Sequence, residues 1–194
     1  MINKTKCVIV GNSAVGKTAL CRKLYDGVFE NAIPPTIGVS YHHISDFGLC
    51  EVAVWDTAGA ERFHNIISNY FNQGTVVLVA FSLHRPSTLN MVLQWIRRVR
   101  TLNKTCSIVV VGCKSDLRIM DKDTVLQTLH GVVTDGNYIE CSAKLESMEE
   151  LRARFFSHLP SVETFEIEEH TKKNKTSRKI EREYYCLGGW CGLQ

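Results

Sequence analysis

Gly11-Asn12-Ser13-Ala14-Val15-Gly16-Lys17-Thr18 is the stretch whose residue types and spacing most directly imply chemistry. Its outer glycines, Gly11 and Gly16, permit a turn tight enough to aim backbone N–H groups inward at a phosphate. In this pattern the Lys17 ammonium reaches the β- and γ-phosphates of a nucleotide, and the Thr18 hydroxyl is placed to bind Mg²⁺. The pattern carries that meaning only between a strand and a helix. Both flanks fit. Cys7–Val10 is an apolar run, and Leu20 and Leu24 share one face of a helix starting at Lys17. The positive end of that helix adds to the anion site.

The remaining elements must bring further groups to this loop. Val28 to Ser40 has no periodicity and contains Pro34-Pro35, so it is a loop. Tyr41–Ile44 and Leu49–Trp55 read as an antiparallel hairpin across the four-residue turn Ser45–Gly48. Asp56-Thr57-Ala58-Gly59 closes the second strand, and Gly59 to Gln73 is expected to be a loop running into an irregular helix. Thr75–Phe81 and Ser107–Val111 are continuous apolar runs of the kind covered on both faces. Between them Leu89, Val92, Leu93 and Ile96 follow helical spacing. A weaker helix is expected over about Asp123 to His130, and Tyr138–Cys141 is a short last strand. Ser147 and Glu150 form a capping box for a final helix with Met148, Leu151, Phe155 and Leu159 inward. Strands alternating with helices predict an α/β fold with a mostly parallel six-stranded sheet, helices on both faces and one antiparallel edge strand. Ligand then binds beyond the C-terminal ends of the strands, where the glycine loop lies.

Length and composition agree with one folded domain, residues 1–160, followed by a basic tail, 161–194, that carries no apolar periodicity. The 194 residues are 44% hydrophobic, with four prolines and a formal net charge of +3. That balance is too small to imply nucleic acid as a partner. No apolar run approaches the roughly 20 residues of a membrane span, and MINKTKC lacks the apolar core of a signal peptide. The eight cysteines include no C-x-x-C pair. They read as reduced thiols, six of them in or beside predicted elements.

Five motifs in one order make the chain resemble a Ras-superfamily small GTPase over about residues 5–158: GNSAVGKT, the loop threonine of PPTIG, DTAG, CKSD and ECSAK. The glycine loop alone would leave ATPases and nucleotide kinases open. The resemblance implies a GTP/GDP switch with Mg²⁺. Ser13, Ala14, Val15, Gly16, Lys17, Thr18 and Ala19 would hold the phosphates. Thr36, after Pro35, would complete the Mg²⁺ shell and meet the γ-phosphate, ordering its loop only with GTP. Asp56 would hold Mg²⁺ through water, with Thr18 and Thr36 as the other ligands. Gly59 would meet the γ-phosphate through its N–H. Asp116 would read guanine, Lys114 and Phe29 would flank the base, and Ser142, Ala143 and Lys144 would approach its carbonyl.

Two positions depart from the family's pattern. Ala60 stands where a glutamine normally orients the attacking water, so intrinsic hydrolysis by the machinery of Lys17, Thr36 and Gly59 is expected to be slow. Cys113 stands where Asn or Thr bonds the base and ties to the phosphate loop. A thiol bonds weakly, so faster nucleotide release is expected. Ser13, where Ras has glycine, is shared with several Rab proteins.

The Rab branch fits best. TIGVSY and WDTAGAERF resemble TIGVDF and WDTAGQERF; Tyr41, Trp55 and Tyr70 match an effector-binding aromatic triad; and Asp116 to Glu140 leaves no room for the extra Rho helix. YFNQGT and Phe81-Ser82 depart from it. The end, Cys191-Gly-Leu-Gln, fits a prenylation box, with the basic run from Lys172 to Arg182 or acylation of Cys186 as second membrane signal. The resemblance thus implies a monomer on the cytoplasmic face of a membrane, cycling with the cytosol. An exchange factor, an activating protein and effectors would bind through switch I (28–40) and switch II (57–73).

Overall fold

The computed structural model describes residues 3–47, 50–59, 75–133 and 136–157. The described elements are β1 (Asn3–Gly11), α1 (Lys17–Asp26), β2 (Val39–Phe47), β3 (Cys50–Thr57), β4 (Thr75–Ser82), α2 (Pro86–Asn90), α3 (Val92–Leu102), β5 (Ser107–Cys113), α4 (Lys122–Leu129), β6 (Tyr138–Cys141) and α5 (Met148–Phe156). A 3₁₀ turn, Ser115–Leu117, follows β5. No helix among the described residues is long and apolar enough to cross a membrane.

The strands form a six-stranded sheet in the order β2-β3-β1-β4-β5-β6. All neighbours run parallel except β2 and β3. The expected mixed sheet with an antiparallel edge is therefore present. The strand order leaves β1 in both directions, which opens a crevice at its C-terminal end.

Alternation along the central strands explains why both faces need helices. Cys7 and Ile9 of β1 pack with Val76, Leu78 and Ala80 of β4 against α1 and α5, through Leu20, Leu24, Leu151 and Phe155. Val8, Val10, Val77, Val79 and Phe81 point the other way, onto Leu89, Val92, Trp95, Val99 and Val125 of α2, α3 and α4. Val8, Ile9 and Val10 are all 0% exposed, and each such side chain contributes roughly 1.5–3 kcal/mol relative to exposure.

Several local expectations are corrected. The helix read through Leu89, Val92, Leu93 and Ile96 is two segments meeting at Met91; Leu89, Val92, Trp95 and Val99 are its buried apolar side chains, with Ile96 partly buried against the same cluster. Trp95 takes the seat because its large ring buries more apolar surface and its N–H finds a partner. In the hairpin, pairing continues to Phe47↔Cys50 past an irregularity between Ile44 and Phe47. Residues 45–47, expected in the turn, belong to β2 instead; 48–49 lie outside the described residues. On α5 the capping box is formed as read, while Met148 is only half-buried and Leu159 lies outside the described residues.

Arg152 on the same helix is a buried cation that periodicity did not flag. Its Nε donates to the Leu24 carbonyl at 2.7 Å and its Nη2 to Tyr25 at 2.9 Å. These carbonyls lie at the C-terminal end of α1, where a positive charge is favoured. Arg152→Met keeps the stem and removes the donors. Urea unfolding should show a loss of about 3–6 kcal/mol, because two hydrogen bonds to a charged group are worth ~1.5–3 kcal/mol each.

Candidate functional site

The loop between β1 and α1 is built by two close approaches. A Cβ on Gly11 would stand 2.1 Å from the Ala80 carbonyl oxygen, and the residue has φ 141°, so only glycine lets β1 leave the sheet here. Ala14 and Lys114 are the positive-φ residues other than glycine among those described, at 58° and 61°. They are joined: Lys114 Nζ donates to the Ala14 carbonyl at 3.0 Å. Left-handed backbone at non-glycine positions clusters where function requires it. On the outer side Trp95 Nε1 donates to Asn12 Oδ1 at 2.9 Å, and Arg85 Nη2 to the Ser13 carbonyl at 2.6 Å. Neither contact was legible in sequence, since both residues are over 70 positions away.

Lys17 is buried and its Nζ caps the carbonyls of Gly11 (2.9 Å) and Asn12 (2.8 Å). Burial lowers its pKa to about 8, against the opposing pull of Asp56 and Cys113. An anion placed beside it restores the charge.

Three oxygens converge next to it. Thr18 Oγ1 lies 2.7 Å from Thr36 Oγ1, and both hydroxyls donate to Asp56 Oδ2, at 2.7 and 3.2 Å. Asp56 is fully buried, its pKa is raised by burial, and its Oδ1 has no hydrogen-bond partner. A buried carboxylate with an orphaned oxygen beside two hydroxyls is a hard donor set, and it fits Mg²⁺. Thr36 comes from the loop before β2, so the loop is fastened to the site through this cluster. A second link joins the same loop to the end of β3, where Ala58 N–H donates to the Gly38 carbonyl at 2.9 Å. Gly59 approaches the phosphate loop so closely that a Cβ would stand 2.5 Å from Ser13 N and Cα.

These groups open on a cleft of about 980 Å³. Ser13, Ala14, Gly16, Lys17, Thr18, Ala19, Phe29, Pro35, Thr36, Gly59, Cys113, Lys114, Asp116, Ala143 and Lys144 line it, joined by Ile33, Leu117 and Cys141. The Val15 side chain is 0% exposed in the core, which leaves its backbone N–H as the group expected at the phosphate. One sequence expectation changes here. Ser142 does not line the cleft: its N–H donates to Glu146 Oε1 at 2.6 Å, which removes that amide from ligand contact. Its hydroxyl instead donates to Asp116 Oδ1 at 2.7 Å and accepts from Leu145 N–H at 3.1 Å. Ser142 is thus a positioning residue for the Asp116 carboxylate. Its role was invisible in sequence because 26 residues separate the pair.

Cys113 is 3% exposed, and its Sγ stands 3.8 Å from where a Cβ on Gly16 would lie. Sulfur therefore packs on the phosphate loop where a carboxamide would bond it. Away from the cleft, Tyr41 and Trp55 are register partners with ring centroids 4.8 Å apart. Ala60, Tyr70, Cys186 and Cys191, and with them most of switch II and the tail, lie outside the described residues.

A mostly parallel sheet with a phosphate loop at its switch point, a threonine–carboxylate cluster and a second carboxylate, Asp116, lining the same cleft defines a P-loop nucleotide-binding protein. The Ras family model matches residues 6–162, and the chain belongs to this family. It is 34% identical to the GTP-binding protein RHO1 of Candida albicans, over 73% of this chain and 80% of that protein. It is 30% identical to the Rho-related GTP-binding protein RhoE of Homo sapiens, over 92% and 80% respectively. It is 38% identical to the Ras-related protein Rab-36 of Mus musculus, over 58% and 44%. Ras-family small GTPases bind GTP and GDP, generally with Mg²⁺, and hydrolyse GTP to GDP.

Proposed function

We propose that this chain is a guanine-nucleotide switch whose chemical step is slow and whose effector loop is set by the nucleotide. The observation that carries it is the cluster of Thr18, Thr36 and Asp56. It makes the position of the loop before β2 depend on what occupies the phosphate end. In the mechanism this implies, Thr18 and Thr36, with Asp56 through water, would hold Mg²⁺, which would supply positive charge against the phosphates. Lys17 holds the β- and γ-phosphates, Gly59 N–H meets the γ-phosphate, and the backbone N–H groups of residues 14–19 cradle the rest. Asp116, aimed by Ser142, accepts from the base, flanked by Lys114 and Phe29, while the amides of Ala143 and Lys144 approach its carbonyl. Loss of the γ-phosphate frees Thr36 and Gly59 together.

Ala60 offers a methyl where water must be oriented. Ala60→Gln should raise single-turnover GTP hydrolysis about tenfold or more, read by phosphate release. An unchanged rate sinks the slow-step reading. Ala60 also favours a second reading, a GTP-bound scaffold; the nucleotide co-purifying with the protein, followed over time, separates the two. For Cys113, restoring the carboxamide in Cys113→Asn should slow GDP release by several-fold, since a hydrogen bond contributes about 1 kcal/mol. A release rate no slower than the parent's means that the sulfur only packs.

Exchange factor, activating protein and effectors would engage 28–40 and 57–73; Ile37 in the first of these is 88% exposed, and Tyr41, one residue beyond it, is 53% exposed. Apolar side chains held outward beside a switching residue suit recognition by a partner. The motifs TIGVSY and WDTAGAERF favour Rab-like membrane traffic over Rho-type signalling. Domain boundary 160/161, the basic tail and lipidation at Cys191, with Cys186 as second site, complete a monomer held at a cytoplasmic membrane face and exchanging with the cytosol.

A further inference from the structure

Two sulfurs stand at the base end of the cleft. Cys113 closes β5 and Cys141 closes β6, and they are direct partners in the parallel register. Such partners share a face, with backbones about 4.8 Å apart, inside the ~4.4–6.8 Å over which a disulfide closes. The two side chains belong to the same buried core cluster. Both side chains line the cleft, and both are nearly enclosed, at 3% and 1% exposure. The cleft is therefore their route to solvent.

The two are not equivalent. Cys113 Sγ packs on Gly16, the N-cap of the ten-residue α1, next to Lys17. A helix N-terminus and a neighbouring cation are the surroundings of nucleophilic thiols. The neighbouring Cys113 thiol and burial push the Cys141 thiol well above the usual thiol range.

We propose that Cys113 and Cys141 form a thiol modification site gated by the nucleotide: a small-molecule disulfide entering the open cleft joins them, and bound nucleotide prevents it. The proposal rests on reading the cleft as a guanine-nucleotide site. Cys113, losing its proton, attacks one sulfur of the reagent, giving a mixed disulfide and one thiolate that takes up that proton. Cys141 then loses its proton and attacks Cys113 Sγ, releasing the second half of the reagent as a thiol. Two protein thiols are oxidised and one reagent disulfide is reduced to two thiols. The bond draws Cys113 toward β6 and away from Gly16. It displaces the loop carrying Lys114 and Asp116, and guanine nucleotide rebinds more weakly.

The test uses the full chain stripped of nucleotide with EDTA, one half reloaded with GDP and Mg²⁺, both halves exposed to oxidised glutathione. Peptide mapping should find a Cys113–Cys141 cross-link in the stripped half. GDP at about a hundred times its Kd should slow its formation about a hundredfold, in proportion to the open fraction. Dithiothreitol should restore GDP binding, and Cys141→Ser should stop at the glutathione adduct on Cys113. The proposal is overturned if stripped protein that still takes up GDP gives no such cross-link, or if the cross-link forms equally fast with GDP bound. A protein that takes up no GDP before any oxidant is added overturns the guanine-site reading itself.

Discussion

Asp116→Ala is expected to weaken GDP binding by about 10²–10⁴-fold. A carboxylate accepting two N–H groups of guanine makes two charge-assisted bonds of roughly 1.5–3 kcal/mol each, and each 1.4 kcal/mol is about a factor of ten. The signature of the role lies in the ligand. IDP, which lacks the 2-amino group, should bind the parent about tenfold or more weakly than GDP and bind Asp116→Ala no worse than GDP does. Ser142→Ala should show a smaller loss of the same kind, because it removes the hydroxyl that donates to Asp116 Oδ1 at 2.7 Å without touching the cleft. Equilibrium titration with fluorescent GDP and IDP measures all three. An Asp116→Ala protein that still distinguishes the two ligands would remove Asp116 from base reading.

Gly59→Ala should separate GTP from GDP. The added Cβ would stand 2.5 Å from Ser13 N and Cα and 2.6 Å from Asn12 C, atoms of the phosphate loop that cannot swing aside as a side chain could. The segment after β3 must then retreat, taking its N–H from the γ-phosphate. Overpacking of this kind costs about 1–3 kcal/mol, so GTP affinity should fall by about 10–100-fold relative to GDP. Dissociation rates of the two fluorescent nucleotides provide the check. Circular dichroism should show the fold retained, since the position lies at the end of β3 and outside both core clusters. Equal losses for GTP and GDP would mean that Gly59 is needed only for packing.

Much of this site was legible because its chemistry is local. The glycine–lysine–threonine loop needs a strand before it and a helix after it, and all three lie within residues 3–26. The apolar runs of β4 and β5 identify themselves as doubly covered strands, since every second residue must be buried on each face. The capping box of α5 is a four-residue device and appears as read. Boundaries were less legible. β2 and β5 run past the apolar residues that mark them, because pairing, and not composition, decides where a strand ends.

What the sequence determined by itself was the inventory: a phosphate loop, a threonine in a loop, a carboxylate after a strand, another carboxylate after a lysine, and their order. Those residues carry their functional groups wherever the chain goes, and short-range periodicity sets the elements that bear them. Tertiary structure alone decided which groups meet. Parallel register brought Cys113 beside Cys141 and, through the loops beyond, Ser142 to Asp116. Chain crossing at β1 delivered Thr36 and Asp56 to Thr18, and α3 supplied Trp95 to Asn12. Such contacts join residues 18 to 83 positions apart. No local pattern encodes them; they follow from closing long loops around one buried sheet.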